Sequence, residues 1–357
     1  MVLAASQVAP ELNSHPSVSW VHIPVTWWPT DLLRSQIFAW RSFRWLGKHS
    51  HQLDVVHANG FITWAASDVN TAHFVHSAWL RSPVHTARLR RDLYGVYQRL
   101  YTVLNAYLEK RAYRQAGIIV SHSEKVRNEL LDIGVPANKI HYIPVGVDLH
   151  EFYPAPADRR ELGLPEGVPL ALFVGGIRTP LKNLDTILYA LVEVPGLHLA
   201  VVGATANSPY LKLAGRLGLL SRVHFLGYRR DVPQLMRAAE LFVFPSRYES
   251  FSLVLLEAMA SGLPVVTAAT VGAAALVSDE CGVVIQDPND ARSLAVALKR
   301  LVQSPESRKR MGRAARVVAE QHSWQRMSEQ YLQVYEKIVE TRNLKGEGVL
   351  WLGGAEY

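Results

Sequence analysis

Leu241–Phe244 is a run of four apolar residues closed by Pro245, and Val265–Thr267 repeats the pattern behind Gly262 and Pro264. Such strands do not alternate polar with apolar, so both faces need cover, which a parallel sheet between two helical layers provides. Phe251–Ala260, lying between them, has helical spacing, and Gly262 stops it with Pro264 just beyond. The stretch is therefore a strand–loop–helix–strand unit. Leu170–Gly175, His198–Gly203 and Val223–Gly227 are further short apolar runs, with the helical stretch Leu184–Val192 following the first. That alternation predicts an α/β chain with a doubly wound sheet.

The first half has the same grammar in a weaker form. Met1–Ala5 and Val18–Val25 read as strands around a polar loop with Pro10, Asn13 and Pro16, and Leu32–Gly47 reads as a helix. Asp54–His57 begins another buried strand, and Thr71–Val75 leads to His76. Leu89–Gln115 carries Leu93, Tyr97, Leu100, Leu104, Tyr107 and Leu108 at helical spacing, and Ile118–Ser123 and Glu124–Ile133 follow as strand and helix. Pro154, Pro156, Pro165 and Pro169 around a charged segment predict a linker. The expected division is a first domain at 1–154, a second at 168–322, a helix at 323–342 crossing back to the first, and a mobile tail from Asn343 to Tyr357. In the crossing helix Met327, Tyr331, Val334, Tyr335 and Ile338 share one face.

Ligands of open α/β sheets bind outside the carboxyl ends of the strands. Ser246–Ser250 lies there, with Glu249 on the loop and Glu257 eight positions on, roughly 12 Å along the helix. A ligand touching both is extended. Glu257 sits among Leu255, Leu256, Ala258 and Met259, where an unpaired carboxylate is costly. Either it pairs with an Arg or Lys of another element, or it accepts hydrogen bonds from vicinal ribose hydroxyls while free amides at the helix start face a phosphate. The loop Gly175–Lys182, reading GGIRTPLK, combines close backbone approach with the point charge of Lys182, which suits a diphosphate.

ESFSLVLLEAMASGLPVV, from Glu249 to Val266, resembles the Glu-x7-Glu region of family 4 retaining glycosyltransferases. The resemblance implies the GT-B fold, two Rossmann-like domains facing a cleft. It implies that Glu257 holds the donor ribose, that Glu249 contacts the donor sugar, and that amides around Phe251, Ser252 and Leu253 face the sugar and phosphate. By the same resemblance Lys182, together with Gly175, Gly176 and Arg178, belongs to the diphosphate site, Tyr228 lies where the base is held, and His76 is near the sugar. Taken alone, a His after an apolar strand is structural more often than functional. His73 and His76 are three apart and lack a third ligand, so no metal site is expected. Departures from the family wording are Ser250 and Ser252 for glycines, Gly176 for an arginine and Val145 for an asparagine, and Gly272 only partly matches a Gly-Gly turn. If those loop positions need positive φ, the serines are strained.

The net charge of +7 gathers in part as Arg34, Arg41 and Arg44 beside Trp40 and Trp45, then Arg81, Arg88, Arg90 and Arg91. That mixture is either a solvated face or one that meets an anionic membrane. No nucleic-acid module is recognisable. The single Cys281 excludes a disulfide framework, and no run approaches a membrane span, so a cytoplasmic protein, peripheral on the inner membrane face, is expected.

The implied activity is metal-independent, retaining transfer of a hexose from a nucleoside-diphosphate sugar to a hydroxyl of a saccharide or lipid-linked acceptor, with no cofactor and no nucleic-acid partner. The other reading is a non-catalytic sugar-nucleotide-binding or scaffold protein of the same fold. Family members open with a strand, a Gly-rich turn and a helix before the strand that Met1–Ala5 resembles, so a shortened first domain is also expected.

Overall fold

The computed structural model describes residues 1–344. The chain divides into two compact units, one comprising Met1–His122, Val126–Ile143 and the chain from Gln330, the other Ser123–Lys125 and Pro144–Glu329. The division after Ile143 falls ahead of the proline-rich linker expected from sequence. Val147, Phe152 and Leu164 explain the difference, because all three are buried in the core of the second unit.

Strands are numbered in chain order. The first unit has a two-stranded parallel sheet, β1 (Val2–Ala5) with β2 (Ser19–His22), and a separate four-stranded parallel sheet. The latter orders β3 (His57–Asn59), β4 (Val69–Ala72), β5 (Ile118–Ser121) and β6 (Ile140–Tyr142). Asp54–Val56 was expected to open β3 but stays outside it, because pairing starts only at His57 opposite Val69. Val56 N–H instead donates to the Asp68 carboxylate at 2.7 Å. A small core of Ala72, Val75, Tyr113, Ile119, Val126 and Leu130 lies against this sheet.

The second unit has one six-stranded parallel sheet: β7 (Leu170–Val174), β8 (His198–Val202), β9 (Val223–Gly227), β10 (Leu241–Phe244), β11 (Val265–Ala268) and β12 (Gly282–Ile285). Their spatial order is β12-β11-β10-β7-β8-β9. This is the order of a doubly wound nucleotide-binding unit, with its reversal between β7 and β10. All four residues of β10 are buried, as the unbroken apolar run requires.

Helix Leu253–Ala260 starts two residues later than its periodicity predicts, because Ser252 is left-handed and Phe251 turns into the core. The helix expected from Leu89 is broken: Thr86–Leu89 is a single turn, and Asp92 then caps Leu93–Gln115 by accepting from Gly95 N–H at 2.9 Å. The last helix, Trp324–Leu344, carries Val334 buried and Tyr331, Tyr335 and Ile338 half-buried, and residues from 330 group with the first unit. It runs through Asn343, where the tail was expected to begin; the rest of that tail lies outside the described residues. Among the described residues no helix is long and apolar enough to cross a membrane.

Candidate donor site in the second unit

The loops leaving β7 and β10 carry most of the polar residues singled out above. Gly175 opens the first loop with its N–H on Val202 O at 2.9 Å. A Cβ at Gly203 would stand 2.3 Å from the Gly175 carbonyl, so glycine at 203 lets the loop leave β7 along this path. One turn of 3-10 helix, Pro180–Lys182, then presents Lys182, and Asn183 ends it at φ 64°. Asn tolerates that conformation better than most residues. Its buried amide donates to Pro245 O (2.8 Å) and Pro288 O (2.5 Å) and accepts from the Thr186 hydroxyl (2.6 Å).

The second loop is tied to the first. Ser246 Oγ and Arg247 N–H both donate to Leu181 O, at 3.1 and 2.9 Å. The Arg247 guanidinium grips both carboxylate oxygens of Asp185, at 3.0 and 2.7 Å, and donates to Asn289 Oδ1 at 2.7 Å. A third segment closes the frame. Gly272 N–H donates to Glu249 O (3.0 Å), Ala273 N–H to Phe251 O (2.8 Å) and Thr270 Oγ1 to Ser246 O (2.6 Å). A Cβ at Gly272 would lie 1.9 Å from Ser250 O, so only glycine allows this approach. Asn183, Arg247 and Asp185 were not anticipated from sequence. Their partners lie up to 105 positions away, beyond any local pattern.

Within this frame the Lys182 ammonium contacts the Glu249 carboxylate and lies 5.6 Å from the centre of the Phe244 ring. Glu257, half-buried about one turn into its helix, has no hydrogen-bond or ion-pair partner for its carboxylate among the described residues. Burial, and then the nearby Glu151 carboxylate, push its pKa up to about 7. Of the two alternatives left open by sequence, pairing with an Arg or Lys is therefore not what the structure contains. Arg178 is exposed and turned to Ala206 O at 3.1 Å, Gly176 faces open space, and Tyr228 is exposed beyond β9. Ser250 and Phe251 lie on the second loop, and Leu253 is the first residue of the helix.

Ser252 has φ 98° and, among the described residues, a buried hydroxyl without a partner and no side chain capping the helix that follows it. The strain foreseen for the serines applies here and not at Ser250, whose φ is not positive. Ser252→Gly should relieve both the backbone strain and the orphaned hydroxyl, raising stability by about 1–2 kcal/mol in urea titrations. An unchanged or lower midpoint would mean that the hydroxyl is satisfied in solution.

His76 belongs to the first unit and starts helix His76–Arg81. Its N–H and that of Ser77 donate to Glu109 Oε2 and Oε1 at 2.7 and 2.8 Å, and its Nδ1 is 3.2 Å from Oε2. Glu109 was not anticipated either. It lies inside a helical pattern whose apolar residues drew the reading to the other face.

Strand order defines the second unit as a Rossmann-type unit, and the solved glycosyltransferases it resembles give the whole chain the GT-B fold. Sucrose-phosphate synthase from Thermosynechococcus elongatus superposes with a TM-score of 0.75 at 24% identity, covering 90% of this chain and 84% of that one. HepE from Anabaena, solved in complex with UDP and glucose, gives 0.66 at 22% identity, covering 91% and 86%. The family described as Glycosyltransferase Family 4 matches residues 1–151, and Glycosyl transferases group 1 matches 155–318. The D-inositol 3-phosphate glycosyltransferase of Salinispora tropica is 32% identical over 315 residues, 80% of this chain. The chain spans 64% of the length of that relative. It belongs to the family 4, or group 1, glycosyltransferases.

Proposed function

We propose that the chain transfers a hexose from a nucleoside-diphosphate sugar to an acceptor hydroxyl with retention, without a metal ion or cofactor. The observation that carries this reading is Glu257, a carboxylate held half-buried and, among the described residues, unpaired beyond the strand-order reversal, eight positions after the Glu249 that Lys182 contacts. Its two oxygens suit the two vicinal hydroxyls of a ribose. The amides that open helix Leu253–Ala260 suit a phosphate, and Lys182 leaves Glu249 to neutralise the departing diphosphate. Glu249, released, turns to the sugar, and His76 is carried over from the family for the same role. The acceptor oxygen attacks C1 on the face from which the diphosphate leaves; its proton passes to the leaving phosphate oxygen, and no protein nucleophile is assigned. A uridine donor is the first to try, since HepE was solved with UDP. The acceptor is a saccharide or a lipid-linked one, met at the cytoplasmic face of an anionic membrane.

A panel of nucleoside-diphosphate hexoses followed by mass spectrometry tests this reading. Lys182→Ala should lower turnover by about 10²–10³-fold. Nucleotide binding with neither donor hydrolysis nor transfer would favour the scaffold reading, to which Arg178 lends weight because it is turned away to Ala206 O.

A further inference from the structure

Helix Leu93–Gln115 is inside out. Its buried face is largely polar or small, with Gly95, Thr102, Asn105 and Glu109, and the Asn105 amide lacks any partner there. On the opposite face Leu93 (89% exposed), Val96, Leu100 (63%), Val103, Leu104 and Tyr107 (67%) form one band about 100° wide. Among the described residues the band therefore lacks cover along roughly 21 Å. Its flanks and its continuation are cationic: Arg99, Lys110, Arg111 and Arg114 are all exposed, and the helix's one carboxylate, Glu109, is 0% exposed and spent on capping. Tyr97 OH accepts from Leu32 N–H at 3.4 Å, which sets the start of helix Asp31–His49 beside the band. Trp27, 92% exposed, precedes that start.

We propose that this band docks on an anionic lipid bilayer, the leucines, valines and Tyr107 entering the headgroup boundary while the arginines and Lys110 meet lipid phosphates. An amphipathic helix with a basic rim and an adjacent Trp has the chemistry of an interfacial anchor. A second copy of the chain is the poorer occupant. Two such faces would bring their basic rims together with no exposed carboxylate on either helix to offset them. The inference deepens the reading of an enzyme that meets its acceptor at a membrane, but it does not depend on the donor site.

The test is flotation of the full chain with vesicles of phosphatidylcholine alone or mixed with phosphatidylglycerol. Binding should rise at least about tenfold with the anionic lipid and fall with salt. Leu100→Glu with Val103→Glu should lower it about tenfold, and so should Arg99→Gln with Arg111→Gln, both pairs leaving the thermal midpoint and donor hydrolysis unchanged. No flotation at low salt would overturn the proposal. So would equal binding by the Leu100/Val103 variant, or a dimer in light scattering that this variant dissociates. Donor hydrolysis measured on the same samples separates failure of docking from failure of the proposed activity.

Discussion

Glu257→Gln is expected to weaken nucleotide binding while stabilising the free protein. In the fold the carboxyl titrates at about 7, against 4.5 for an unperturbed Glu. Below 4.5 both folded and unfolded chains hold the proton and the site has no effect on stability. As pH rises from 4.5 to 7 the unfolded chain ionises first, so unfolding is favoured, by at most about 3 kcal/mol once both forms are ionised. Gln escapes that penalty, and at pH 8 the variant should gain about 2 kcal/mol in denaturant titrations. Nucleotide binding moves the opposite way, because an amide gives up a charge-assisted acceptor. The loss is about 1.5–3 kcal/mol, roughly 10–100-fold in Kd. The wild-type protein should also bind nucleotide less tightly as pH falls below 7, since the ribose hydroxyls donate to the ionised form, and the Gln variant should lose this slope. A destabilised variant with unaltered affinity would make Glu257 a structural residue.

What was legible in the sequence divides by unit. Leu184–Val192 and Val223–Gly227 match their expected bounds, and so does Leu241–Phe244, where a wholly apolar run closed by Pro245 leaves little else for the chain to do. In the first unit the strands are only three or four residues long, and tertiary pairing decides their bounds. Val55 and Val56 favour a strand by type, yet the partner starts one residue later, at Val69 opposite His57. Periodicity revealed the long helix but not which side is covered: an apolar stripe marks a face that seeks cover, and the rest of the protein seats Thr102, Asn105 and Glu109 inward instead. In the candidate site, Glu249 and Glu257 stand in one short motif and Lys182 in another, so all three could be singled out. The framework could not, since Arg247 finds Asp185 across 62 positions and Asn183 ties the end of β10 to Pro288.

Glu109→Ala should be among the most damaging single changes in the first unit. The carboxylate is 0% exposed and accepts from His76 N–H, Ser77 N–H and, at 3.2 Å, faces His76 Nδ1. No other side chain caps the helix His76–Arg81. Removing the carboxylate leaves two amides at the helix start without acceptors, Ser77 being buried, and opens a cavity beneath them. The expected loss is about 3–5 kcal/mol, a large share of the 5–15 kcal/mol that usually holds a domain together. Glu109→Gln keeps the shape and one carbonyl acceptor, so it should lose less, about 1–2 kcal/mol, and fold. It also replaces the group that faces His76 Nδ1 with an uncharged one. If His76 works on the donor sugar and the second unit binds the nucleotide, transfer by the Gln variant should fall about tenfold or more while nucleotide affinity stays put. Urea titration of both variants, with turnover and nucleotide binding measured on the Gln form, separates the two effects. A Gln variant as active as wild type would leave Glu109 a helix cap and His76 a core histidine.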